Sequence, residues 1–276
     1  MRLSSVLMVP VALLALAGCA SNSSNSVTGP GPTGQMSVAV TDAPGDFDQV
    51  NLVVDEVSAS RAGDDSGWEV LSTGTQTVNV LQLQNGLFAS LGNATVPAGT
   101  YHQVRLKLGA GSNVVVGGLT YPLTVPSGMS SGLKLNGTFD LAADGVLSLQ
   151  MDFDVNKSIS QQANGYRMDP VIRISPATEV GAISGLVAPA GVTTSVKVSQ
   201  NGTEVCTNWV NPDGSFKIAV LPAGSYDLLV TDVHGSVLIY NGVQVTAGQT
   251  TSLGKLSFVF DVPTGSGGGG GNGGSD

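Results

Sequence analysis

Two carboxylates spaced for one face of a strand, Asp152 and Asp154, are the first residues here that could do chemistry. In an extended chain they point the same way, roughly 6.5–7 Å apart, with Phe153 turned to the other side. Like charges that close call for water, a basic neighbour or a shared cation. Asp42, Asp46 and Asp48 lie in a turn-like stretch that would add oxygens. Calcium takes roughly six to eight of them, so a calcium site over Asp42, Asp46, Asp48, Asp152 and Asp154 is one expectation. The competing expectation is a solvated strand face balanced by Lys157 or Arg167, and the lack of dedicated calcium-loop spacing favours it. The same pair could serve a glycosidase by separation alone. That chemistry needs an aromatic-lined cleft, and the chain has only two Trp, five Tyr and seven Phe.

The tryptophans offer a different chemistry, because a sugar ring stacks its C–H face on an aromatic plane. Trp209 alternates with Val205 and Thr207 just before a turn at Asn211, and Trp68 follows a polar loop at Asp64–Gly67. Each is a candidate ligand contact, set against ordinary core or rim packing. Gly128-Met129-Ser130-Ser131-Gly132 matches the G-x-S-x-G nucleophile pattern, but that chemistry requires a strand-to-helix elbow followed by an acid and a histidine. A glycine-serine loop between strands is the simpler expectation. With only His102 and His234, a histidine metal centre has little support, and alternation groups His102 with Val104 and Leu106.

The amino terminus carries its own chemistry. Met1-Arg2 supplies a positive start and Leu3 to Ala17 an apolar run, shorter than the ~20 residues a membrane-spanning helix needs. Residues 1–18 are therefore expected to be a signal peptide. Leu16-Ala17-Gly18-Cys19 resembles the lipobox of bacterial lipoproteins. The resemblance implies a diacylglyceryl thioether on Cys19, cleavage before it, and acylation of the new amino terminus, with palmitate as the expected chain type. Several acyl chains hold a membrane far better than one. Ala20 is not the aspartate of an inner-membrane retention signal, so an outer-membrane address is expected if the cell is Gram-negative. Cys206 is then the one remaining thiol, expected as a small buried hydrophobe.

Removal of residues 1–18, Arg2 among them, would leave 258 residues and a formal charge of −10, against −9 for the full 276. That length suffices for one large or two modest cores. With no basic stripe to neutralise phosphates, nucleic acid is not an expected partner. Anionic polymers would be repelled on net charge unless a cation bridged them.

The elements that must position these residues read as all-β. Asn-Gly recurs at Asn85, Asn136, Asn164, Asn201 and Asn241, and Asp-Gly at Asp144 and Asp213, dipeptides suited to tight hairpins. Between them apolar residues alternate, as at Leu147, Leu149, Met151, Phe153 and Val155, and no sustained helical period occurs. The expected layout is a flexible tether at 19–35, a β-sandwich at 36–176, a second at 182–262 and a glycine-rich disordered tail at 263–276. One motif occurs in both sandwiches, Val96-Pro97-Ala98-Gly99-Thr100-Tyr101 and Leu221-Pro222-Ala223-Gly224-Ser225-Tyr226, and no fuller duplication is visible.

Ile183-Ser184-Gly185, then Asn211-Pro212-Asp213-Gly214-Ser215-Phe216 and Leu221 to Tyr226 make the second unit resemble the carboxypeptidase regulatory-like, or transthyretin-like, domains. The resemblance implies a seven-stranded sandwich of a fold group that includes starch-binding domains, with an accessory role and no catalysis. The first unit carries Thr41-Asp42-Ala43-Pro44, Gly67-Trp68, Pro97 to Tyr101 with Arg105-Leu106, Val125-Pro126-Ser127-Gly128, Gly132-Leu133-Lys134-Leu135, and Asp152-Phe153-Asp154 with Ser158. These make it similar to a bacterial lipoprotein family designated domain of unknown function 4382. The expectation is a membrane-anchored, non-catalytic envelope lipoprotein that binds a glycan. The alternatives are an assembly protein contacting an envelope partner and, more distantly, a hydrolase. Calcium is the sole cofactor considered.

Overall fold

A computed structural model describes residues 31–42, 45, 47–63, 67–84, 86–126 and 128–258; the leader, Cys19, Asp46 and the glycine-rich tail lie outside the described residues. Twelve strands precede the Ala177–Glu179 turn: β1 (Thr33–Asp42), β2 (Gln49–Arg61), β3 (Glu69–Asn79), β4 (Ala89–Pro97), β5 (Gly99–Leu108), β6 (Asn113–Val116), β7 (Leu119–Thr124), β8 (Leu133–Leu141), β9 (Val146–Phe153), β10 (Ile159–Gln162), β11 (Gly165–Met168) and β12 (Ile172–Pro176). Seven follow it: β13 (Val180–Ala188), β14 (Thr194–Gln200), β15 (Thr203–Trp209), β16 (Ser215–Pro222), β17 (Gly224–Asp232), β18 (Val237–Val245) and β19 (Thr250–Ser257). Helix is confined, among the described residues, to one turn of 3-10 helix at Val80–Gln82 and one short helix, α1 (Val155–Ser158). The protein is all-β, as its alternation and turn residues predict.

In the first sandwich the order β12-β9-β1-β4 packs on β10-β11-β7-β6-β2-β5-β8, with β3 paired to β2. In the second, β16-β13-β19 packs on β15-β14-β17-β18. Each has its own apolar core. Val38, Leu149 and Phe153 meet Val57, Val104 and Phe139 in the first, and Ile183, Ile218 and Leu256 meet Val196, Leu228 and Val230 in the second. From Pro32 onward the chain forms one compact unit.

Two boundaries of local structure differ from the sequence reading. The strand begins at Thr33, inside the expected tether, because Thr33, Gly34 and Gln35 pair with Pro97, Val96 and Thr95. Polar strand ends carry no hydrophobic signal, yet their backbone groups complete the ladder. His102 is exposed and Tyr101 wholly buried, the reverse of simple alternation. The β2–β5 register slips between the pairs Ser60↔Gln103 and Arg61↔Tyr101, and the extra residue turns Tyr101 into the core. Burial, then Glu69, pushes the Tyr101 phenol up to about 12, and its hydroxyl donates to Pro97 O at 2.7 Å.

Candidate functional site

Asp152 sits near the end of β9 opposite Arg173 on β12, and the two side chains form an ion pair. Arg173 also donates to Ala219 O on β16, at 3.4 Å, so one guanidinium joins strands of both sandwiches. Burial lifts the Asp152 carboxyl above the ordinary range, against the pull of Arg173. Cys206 on β15 lies against the same guanidinium; burial, partly countered by Arg173, pushes its thiol up to about 11, which favours the protonated form at neutral pH. The expected solvated face is therefore corrected: Asp152 is 5% exposed and its cation is Arg173. Lys157 serves Asp154, at 3.5 Å, and Glu204, while Arg167 forks onto Asp169 at 2.9 Å.

The carboxylates considered for calcium have separate tasks. Asp154 lies past the end of β9, so it does not share a strand face with Asp152; it caps α1 by accepting from Lys157 N at 3.1 Å. Asp42 is buried at the end of β1 opposite Phe153. Asp48 is exposed and accepts from Gly118 N at 2.9 Å. Among the described residues no three Asp, Glu, His or Cys side chains gather as metal ligands.

The tryptophans occupy two different surfaces. Trp209 ends β15 and borders an open cleft of about 300 Å³, lined also by Gly45 and Gln84 from first-sandwich loops and by Thr193, Asn211 and Pro212 from the second. Asn211 is oriented by donating to Ser215 Oγ at 3.0 Å. An aromatic side chain beside amide and hydroxyl groups is the combination that can stack on a sugar ring and hydrogen-bond its hydroxyls. Trp68, just ahead of β3, lies on the outer face of the larger sheet with the Arg105 guanidinium 4.0 Å from its ring centre. Ser130 lies in the turn between β7 and β8, so the serine pattern does not form a strand-to-helix elbow. Arg173 and Arg105 carry the buried and stacked contacts; sequence reading named Arg105 only within a family motif and did not name Arg173. A lone arginine flanked by Ile172 and Ile174 is the signal that could have marked the first.

The family described as a domain of unknown function (DUF4382) matches residues 33–170, half of the chain, and the protein belongs to that family. No curated protein matches the sequence. Among solved structures it is similar to the TIE protein of Bacillus anthracis, at 10% identity over 83% of this chain and 34% of that one, with a TM-score of 0.22. A minor pilin of Streptococcus agalactiae shares 10% identity over 81% of this chain and 96% of its own, with a TM-score of 0.20. A fimbrial protein of Bacteroides ovatus shares 7% over 80% and 49%, with a TM-score of 0.24. The chain thus spans about a third of the TIE protein and about half of the fimbrial protein. No helix among the described residues is long and apolar enough to cross a membrane.

Proposed function

We propose that the protein is a non-catalytic binding module of the bacterial envelope, anchored through lipid on Cys19 and holding a glycan in the Trp209 cleft. The observation that carries this reading is the cleft itself: an aromatic side chain beside Gln84, Thr193 and Asn211, with Gly45 and Gly191 also in its lining. Sugars offer the matching chemistry of one C–H face and a rim of hydroxyls. The test is titration of the full chain in detergent micelles against a panel of neutral and acidic oligosaccharides. Saturable binding that falls roughly tenfold or more in Trp209→Ala is expected, about 1.4 kcal/mol or more. Binding unchanged by that substitution would remove the cleft from the reading. The anchor is tested separately, since Cys19→Ser should move the protein from the membrane to the soluble fraction.

An assembly role is the second reading, and β18 favours it. This edge strand has no charged residue from Val237 to Val245, and Val237 and Ile239 are 53% and 63% exposed. Edges left without charge or proline can accept another strand. Ile239→Lys would abolish such an association and leave sugar binding intact.

A further inference from the structure

The outer face of the strands β2, β5 and β8 carries a built platform. Ser58 is fully buried beneath Arg105, whose Nε donates to Ser58 Oγ at 3.1 Å and whose Nη2 donates to Glu56 Oε1 at 2.6 Å. Ser58 Oγ in turn donates to Glu56 Oε1 at 3.0 Å. The guanidinium therefore lies flat on the sheet, and the half-exposed Trp68 ring stacks on it at 4.0 Å. Arg105 covers one ring face, and the side chain as a whole remains half-exposed. Fixing the ring this way removes the rotamer cost a free tryptophan would incur on stacking with a ligand.

The neighbours of that ring define what it would take. Lys134, opposite Arg105 in the register, brings its ammonium 5.8 Å from the ring centre. Gln103 donates to Asn136 Oδ1 at 2.7 Å in the next row, so a bonded pair of amides runs alongside. Arg105 is paired with Glu56, which also faces Lys107 across the β2–β5 register, and among the described residues the exposed Lys107 and Lys134 form no salt bridge. Asp140, the next carboxylate along this face of β8, is six residues on, about 20 Å away, and accepts from Thr100. In a protein of formal charge −9 this face gathers three cations, Arg105, Lys107 and Lys134, around the Glu56 carboxylate.

We infer that this platform is a second binding site, for an extended acidic polysaccharide. A pyranose would stack on Trp68, its carboxylate would reach Lys134 and Lys107, and its hydroxyls would meet Gln103 and Asn136. Aromatic stacking supplies the sequence-tolerant part of the contact and the lysines supply the preference for charge. The site rests on the reading of the protein as a binding module but shares no residue with the Trp209 cleft.

The test uses the full chain in micelles with three probes: polygalacturonate, a neutral β-1,4-glucan oligomer, and single-stranded oligonucleotide. Polygalacturonate should bind, weaken roughly tenfold in Trp68→Ala, and lose its advantage over the glucan in Lys134→Gln. Lys134 is exposed, so that variant leaves the fold undisturbed, and a melting curve checks Trp68→Ala. Equal binding of the neutral glucan by the native protein overturns the acidic assignment, as does tighter binding of the oligonucleotide. Loss in Trp209→Ala without loss in Trp68→Ala overturns the platform and leaves the cleft standing. Loss confined to Trp68→Ala and Lys134→Gln supports the platform even if the cleft proves empty of ligand.

Discussion

The two sandwiches follow one strand plan. In each, the first strand (β1, β13) runs antiparallel to the strand that ends at the Pro-Ala-Gly turn (β4, β16) and parallel to a late strand (β9, β19). Across the turn, the tyrosine-bearing strand (β5, β17) joins the other sheet, between β2 and β8 or between β14 and β18. The tyrosine hydroxyl donates back to the proline carbonyl at 2.7 Å in both. Even the Asn-Gly dipeptides correspond, since Asn136-Gly137 and Asn241-Gly242 sit in the strands paired with Tyr101 and Tyr226, at a register slip. They serve different needs. A side chain on Gly137 would begin 2.2 Å from Phe139 Cζ, so glycine there makes room; Gly242 has φ +68° and a Cβ there would meet only Ser225 Oγ, at an ordinary 3.8 Å, so glycine there makes an angle. One dipeptide in one plan can answer two physical demands, and only its surroundings say which.

The largest expected effect tests what separates the joint from the outer face. Arg173→Met strands the Asp152 carboxylate in the interior and should cost about 3–5 kcal/mol in chemical denaturation. Arg105→Met, removing a contact at a more solvated surface, should cost about 1 kcal/mol or less. Equal costs would mean the joint is not special. A smaller effect distinguishes the two glycines. Gly137→Ala should cost about 1–3 kcal/mol by overpacking, and trimming Phe139 to Leu in the same chain should recover part of it. Gly242→Ala should cost about 1–2 kcal/mol from backbone strain alone, with no partner substitution able to restore it.

The smallest effect concerns pH. Burial of Glu56 raises its carboxyl, but the Arg105 and Ser58 bonds outweigh that and hold it below its ordinary value of 4.5. The unfolded state then binds the proton more readily, so the stabilisation is present above that value and is lost as pH falls through the folded one. Melting temperature should therefore drop on acidification below about 4.5, and Glu56→Gln should flatten part of the slope by up to about 1 kcal/mol.

Much of this architecture was legible along the chain. Leu147, Leu149, Met151 and Phe153 face the core as their alternation requires, and Trp209 stands at the rim next to its turn. The strand-plan duplication was not legible, because only the Pro-Ala-Gly-Tyr corner demands particular residues, whereas strand order can be met by many apolar sequences. The partner of Asp152 was hidden for a related reason: Arg173 is 21 residues away and is brought opposite by the β9–β12 register. Likewise Trp68 and Arg105 stand 37 positions apart.

The sequence by itself determined that this is an all-β chain, where many of its turns fall, and which residues carry aromatic or charged chemistry, because turn angles and side-chain alternation are local properties. Only the tertiary structure decided that Asp152 belongs to a buried joint, that Trp68 lies flat on Arg105, and that Trp209 opens on a cleft shared by two sandwiches. Those are consequences of strand pairing and sheet packing, which bring distant positions together through backbone hydrogen bonds and core burial that leave no fixed spacing in the chain.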